Sequence, residues 1–216
     1  IYANHEEENF KRVFSLYEFV NHFTTFVFYT IALITMMPFV KVYTSGVADR
    51  NLYMLPLFGT LLVAGELIYC IRLPYYYAIT NAGHFKQITK SAYIEAGLNI
   101  VISLSLVFSL GLTGLAIGAG VAMTYRTAFL IWYCSKNITK TTLLVPIKRI
   151  LLFSATTVVS AVGGRLVSYE PDGFAQWFLY AAVVGVAVLA VFALVSLLFC
   201  QEDTKTLFQK LKNVVK

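Results

Sequence analysis

Six apolar stretches follow one another along the chain, separated by short polar breaks. They run from about Phe19 to Tyr43, Tyr53 to Tyr76, Thr89 to Leu110, Leu112 to Ser135, Ile147 to Ser168 and Phe174 to Cys200. A bilayer core of about 30 Å takes about 20 apolar residues per helical crossing, and it offers no water to satisfy open backbone groups. Hydrophobicity that is continuous rather than alternating selects helices over a transmembrane barrel. The pattern therefore predicts an all-α polytopic membrane protein with about six transmembrane helices.

Two further segments have helical periodicity without the length to cross. Between Glu6 and Tyr17, Phe10, Val13, Phe14 and Tyr17 share a face beside Glu6, Glu7, Glu8, Lys11 and Arg12, which predicts a short helix lying in the membrane interface. In the tail, Leu207, Leu211 and Val214 alternate with Lys210 and Lys212 in the same manner. The chain thus divides into an interfacial connector (1–18), four transmembrane helices (19–144), two additional ones (145–200) and a basic tail (201–216). The polar connection from Lys136 to Thr142 is too short to fold by itself. Pro38, Pro56 and Pro74 lie in or near the ends of the first two spans and predict bends, because each removes a backbone donor. A chain that starts at Ile1, with no charged leader ahead of the first span, reads as a fragment or a processed product.

Composition agrees with a lipid solvent: 58% of residues are hydrophobic and 13% charged, more apolar surface than one soluble core of this length can hide. Charge adds orientation. Lys11, Arg12, Lys86, Lys90, Lys136, Lys140, Lys148, Arg149, Lys205, Lys210, Lys212 and Lys216 fall on one side of the predicted topology, against Lys41, Arg50 and Arg165 on the other. Basic residues near span ends stay in the cytoplasm, so both termini are predicted cytoplasmic. The net charge of +6 is explained by that topology and by attraction to anionic membrane lipids, and no nucleic-acid partner is needed. Tyr43, Tyr53, Tyr75, Tyr76 and Tyr77 are placed as interfacial anchors. Cys70, Cys134 and Cys200 lie in or at the edge of spans and read as apolar packing residues.

Ionisable side chains within spans are costly, and they are the first suspects for function. Four qualify: Glu66, Arg72, Glu95 and Arg126. At about 1.5 Å rise per residue, Arg72, Glu95 and Arg126 reach one depth in the inner third of the membrane, while Glu66 sits near the midplane. The three form either an ion-pair network that makes burial tolerable or one wall of a cationic cavity, where guanidinium forks bind phosphate oxygens. Asn99 and Ser103 continue a polar stripe from Glu95, one helical turn apart each time. That stripe either bonds to a neighbouring helix or lines a hydrated path. Gly114 and Gly118 form a G-x-x-x-G pair that lets a partner helix approach closely. His22 reads as a packed, hydrogen-bonded residue or a proton relay. There is no P-loop, no H-E-x-x-H and no plausible Ser/His/Asp or Cys/His arrangement, so an enzyme is not expected, nor a cofactor or metal.

A series of short motifs carries a family resemblance: Pro38-Phe-Val-Lys-Val-Tyr-Thr-Ser-Gly-Val-Ala-Asp49, Arg72-Leu-Pro74, Ala82-Gly-His-Phe-Lys86, Glu95-Ala-Gly-Leu-Asn-Ile-Val-Ile-Ser103, Gly111-Leu-Thr-Gly-Leu-Ala-Ile-Gly118 and Tyr125-Arg126. Over about Phe10 to Lys140, the chain resembles the carboxy-terminal half of bacterial polysaccharide-biosynthesis flippases, which belong to the multidrug/oligosaccharidyl-lipid/polysaccharide exporter superfamily. The resemblance implies two lobes around a central cavity. The six spans here would be the last four helices of the second lobe plus an extra pair, partnered by the missing amino-terminal helices of the same transporter. It implies export of undecaprenyl-diphosphate-linked oligosaccharide across the bacterial inner membrane by alternating access. Arg72, Glu95, Asn99 and Arg126 would be cavity residues, and Glu66 or Glu95 would be available for coupling to an ion gradient. A drug or metabolite antiporter of the same superfamily is an alternative, as is a non-transporting assembly partner of glycosyltransferases.

Overall fold

A computed structural model describes residues 7–49, 53–166 and 169–214; Glu6, Arg50, Ser168 and Lys216, named above, lie outside them. Every regular element described is helical: α1 (Glu7–Tyr43), α2 (Pro56–Ile71), α3 (Leu73–Asn81), α4 (Phe85–Leu110), α5 (Leu112–Asn137), α6 (Leu144–Leu166), α7 (Phe174–Phe199) and α8 (Gln201–Val214). Since α2 and α3 are two parts of one span, six helices among the described residues are long and apolar enough to cross a membrane.

The separate interfacial helix expected before Phe19 is not a separate element. α1 runs unbroken from Glu7 into the first span, because no glycine or proline interrupts it before Pro38 and because Phe14, Glu18 and Phe19 are already buried against the bundle. Pro38 is accommodated within α1 without ending it. Pro56 opens α2, where its missing donor would have had no helical partner anyway. Pro74 lies in the first turn of α3, at the one place where a span is broken.

α1 is the middle of the assembly. It packs on α2 along one side and on α6 and α7 along the other, while α5 joins α2 to α4 at the far flank. Phe26, Phe153 and Phe192 are fully buried between α1, α6 and α7, with Phe153 5.7 Å from each of the other two rings. In lipid such contacts gain close packing rather than escape from water. A Thr30–Thr157 hydroxyl pair at 2.8 Å also ties α1 to α6.

α4 and α5 form a hairpin that turns on Gly111 alone. Its φ of 57° is in the left-handed region that a Cβ disfavours. The glycine face of α5 then meets α4: a Cβ on Gly114 would lie 2.6 Å from the Leu106 carbonyl carbon, and one on Gly118 would lie 2.7 Å from the Ser103 nitrogen. The other side of α4 has no cover among the described residues, and Tyr93 and Phe108 are 76% and 91% exposed there.

The amphipathic tail is α8, which follows α7 directly and returns Leu207 and Thr204 to the bundle. The starts of α1, α4 and α6, the ends of α3, α5 and α7, and α8 share one end of the molecule. Contacts of Arg149 with Ser15 and Asp203, of Tyr75 with Glu18 and of His84 with Tyr133 tie that end together. At the opposite end Lys41 pairs with Glu170.

Candidate functional site

The interruption of the second span lies beside a cluster of three charged side chains. Pro74 cannot donate to the carbonyl one turn before it, so α2 stops at Ile71 and α3 restarts at Leu73 with Arg72 as the junction. Carbonyls freed near such a break inside lipid need other donors. Thr127 Oγ1 of α5 donates to the Ile68 carbonyl at 3.2 Å, and His22 Nε2 of α1 donates to the Ile71 carbonyl at 3.4 Å. A carbonyl only accepts, so His22 carries its proton on Nε2. Its Nδ1 is left without a hydrogen-bond partner, 4.0 Å from Glu18 Oε1.

Arg72 points from this junction to α4, where its Nη1 donates to Glu95 Oε1 at 2.6 Å. Arg126 Nη1, from α5, donates to Glu95 Oε2 at the same distance. One carboxylate therefore bridges two guanidinium groups, and the side chains of Arg72, Arg126 and Glu95 are only 7%, 13% and 16% exposed. Arg72 also stands over the Tyr69 ring at 4.5 Å, a favourable seat for a cation out of water. The trio keeps a net charge of +1, and Arg126 Nε is buried without a hydrogen-bond partner among the described residues. Both features suit an additional anion: guanidinium forks present several N–H donors, and Glu95 uses one from each.

The remaining suspects lie apart from this trio. Ser103 Oγ donates to Asn99 Oδ1 at 2.8 Å along α4 and lies 3.4 Å from the Leu115 carbonyl of α5, so the polar stripe is bonded within its own helix and to its neighbour. Asn99 and Ser103 also line a groove of about 530 Å³ together with Phe58 and Leu62 of α2. Glu66 is exposed on α2, about 9 Å along the helix from Arg72, and has no ion-pair partner among the described residues.

A second charged network at the end shared by α1, α6 and α8 escaped the sequence reading. Arg149 is its centre: Nη2 donates to Asp203 Oδ1 at 2.6 Å and to Ser15 Oγ at 2.9 Å, and Nη1 lies 3.4 Å from Glu18 Oε2. Tyr75, placed above as an interfacial anchor, is instead fully buried and donates its hydroxyl to Glu18 Oε1 at 2.8 Å. In the sequence Arg149 is one more basic residue of the inner face, and a network closed across α1, α3, α6 and α8 leaves no local signal. The i,i+4 spacing of Glu18 and His22 was the only available hint. Among the described residues, no group of three or more His, Cys, Asp or Glu side chains is placed to hold a metal.

No family model matches the chain, and no curated protein or solved structure does either.

Proposed function

We propose that the chain is the carboxy-terminal part of a bacterial flippase that moves undecaprenyl-diphosphate-linked oligosaccharide across the inner membrane for cell-surface polysaccharide synthesis. The observation that carries the reading is the buried Arg72–Glu95–Arg126 trio, net positive and seated beside the one-residue interruption that Pro74 makes in the second span. A diphosphate requires forked donors, and the trio has two guanidinium groups whose charge one carboxylate does not balance. With no substrate, Glu95 holds both arginines in place and offsets one of their two charges. An arriving diphosphate takes up the donors that Glu95 leaves free, while the lipid tail stays in the bilayer.

The uncovered side of α4 is the flank against which the amino-terminal lobe would close, and rocking of that lobe would open the cavity to either face. The basic end, holding both described ends of the chain, is cytoplasmic by the Lys and Arg bias. An ion gradient or the membrane potential would drive export, the latter contributing about 2.3 kcal/mol per charge per 100 mV.

The test is Arg72→Ala and Arg126→Ala in the complete transporter. Each is expected to stop surface polysaccharide assembly at unchanged membrane abundance; normal polymer in both would sink the assignment. Dye export on overproduction, unaffected by either change, would favour the antiporter alternative instead.

A further inference from the structure

Lys86 and Lys90 are accounted for by topology in the sequence, yet the fold gives them a cavity. A pocket of about 410 Å³ opens between the first turns of α4 and the last turns of α5. Its mouth carries Lys86 and Lys90, one helical turn apart on α4, and its wall is formed by Phe129, Trp132 and Tyr133 of α5. Neither lysine has an acidic partner among the described residues, and the nearest carboxylate along α4, Glu95, is already held by two arginines. Like charges at this spacing repel by about 0.2–0.5 kcal/mol, and an anion between them turns that cost into attraction. Lys136 adds a third cation above the Trp132 ring at 5.2 Å.

The aromatic wall is built, not incidental. Phe129 and Tyr133 stack at 5.9 Å, and the Tyr133 hydroxyl is held 2.8 Å from His84 Nδ1. Trp132 is 44% exposed at the end of a span, where indole rings settle among lipid headgroups.

The cavity also changes character with depth. Along α4 its lining runs about 12 Å from Lys86 and Lys90 to Ile94, from charged side chains to an apolar one that is 37% exposed. A free phosphate would use only the mouth; a phospholipid uses both ends. We infer that this pocket binds one anionic phospholipid of the basic-side leaflet, its phosphate between Lys86 and Lys90 and the start of an acyl chain beside Ile94. The inference does not depend on the chain being a transporter.

Trp132 reports on its own pocket. The chain has two tryptophans, so Trp177→Phe leaves Trp132 as the sole indole. This protein is reconstituted into phosphatidylcholine vesicles containing a minor fraction of acyl-brominated phosphatidylglycerol, or the same fraction of acyl-brominated phosphatidylcholine. Each lysine should favour the anionic lipid about fivefold, and the pair roughly thirtyfold, so the anionic lipid quenches Trp132 much more deeply. Lys86→Gln/Lys90→Gln should abolish the difference, and because both are exposed side chains the exchange leaves the helix pair folded. Lys205→Gln/Lys210→Gln, on α8, should retain it. Equal quenching by the two lipids would overturn the inference, as would loss of the preference in the α8 variant or its survival in the pocket variant. Relief of quenching by millimolar inorganic phosphate at constant ionic strength would reassign the site to a soluble phosphate.

Discussion

Glu95→Gln is the sharpest perturbation of the charged trio. The substitution keeps the shape of the side chain and removes the charge that both Arg72 and Arg126 contact at 2.6 Å. Opposite unit charges about 4 Å apart attract by about 4 kcal/mol at an effective dielectric constant of about 20. Two such attractions disappear together, and two guanidinium groups that are 7% and 13% exposed are left facing each other. Removing one member of a buried pair costs about 3–5 kcal/mol, chiefly because the other charge stays buried without compensation. Glu95→Gln should therefore lower the unfolding free energy by about 3–5 kcal/mol, measured by far-ultraviolet circular dichroism during titration with sodium dodecyl sulfate in mixed micelles. The second half of the cycle is more discriminating. Arg72 would still have the Tyr69 ring at 4.5 Å, whereas Arg126 Nε has no partner even now. Adding Arg126→Gln to Glu95→Gln should accordingly restore much of the loss. A cost below about 1 kcal/mol, the range of an exposed ion pair, or a double variant weaker than the single one, would refute the buried-bridge reasoning.

Two further outcomes are expected from the same geometry. Gly118→Ala places a methyl 2.7 Å from the Ser103 nitrogen and 2.9 Å from its Cα, an overpacking cost of about 1–3 kcal/mol, while Gly120→Ala meets open space and gains about 0.8–1 kcal/mol of helix propensity. In the same titration the two should shift in opposite directions, and equal shifts would mean that the helices do not touch along Gly118. Asp203→Asn weakens a charged hydrogen bond to Arg149, a class worth about 1.5–3 kcal/mol, and should loosen α8. Cys200, 8% exposed at the junction of α7 and α8, should then react with a maleimide about tenfold faster or more; an unchanged rate would mean that Arg149 does not hold the tail.

Much of the architecture was readable before any coordinates. α5 and α7 fall within two residues of their predicted limits at both ends, and the glycine pair at 114 and 118 does serve a close helix contact. The misreadings have a common origin. Tyr75 was assigned to the interface because it lies beside Tyr76 and Tyr77 near a span end, but the break at Arg72 and its hydrogen bond to Glu18 turn it into the bundle. The connector 1–18 is set apart for its short amphipathic pattern beside charged residues, yet Glu18 is buried by partners from elsewhere in the chain.

The sequence by itself determined that there are six segments long and apolar enough to cross a membrane, that they are helical and that basic residues gather at one end. These properties follow from the bilayer, which demands a minimum apolar length and makes each segment satisfy its own backbone. Only the tertiary structure decided which charges meet. A helix apolar all round does not specify its rotation about its own axis, so nothing local distinguishes Glu95, enclosed by two arginines, from Glu66, left exposed on α2. Rotation is settled when glycines, hydroxyls and charges of different helices find one another, and those partners lie far apart in the chain.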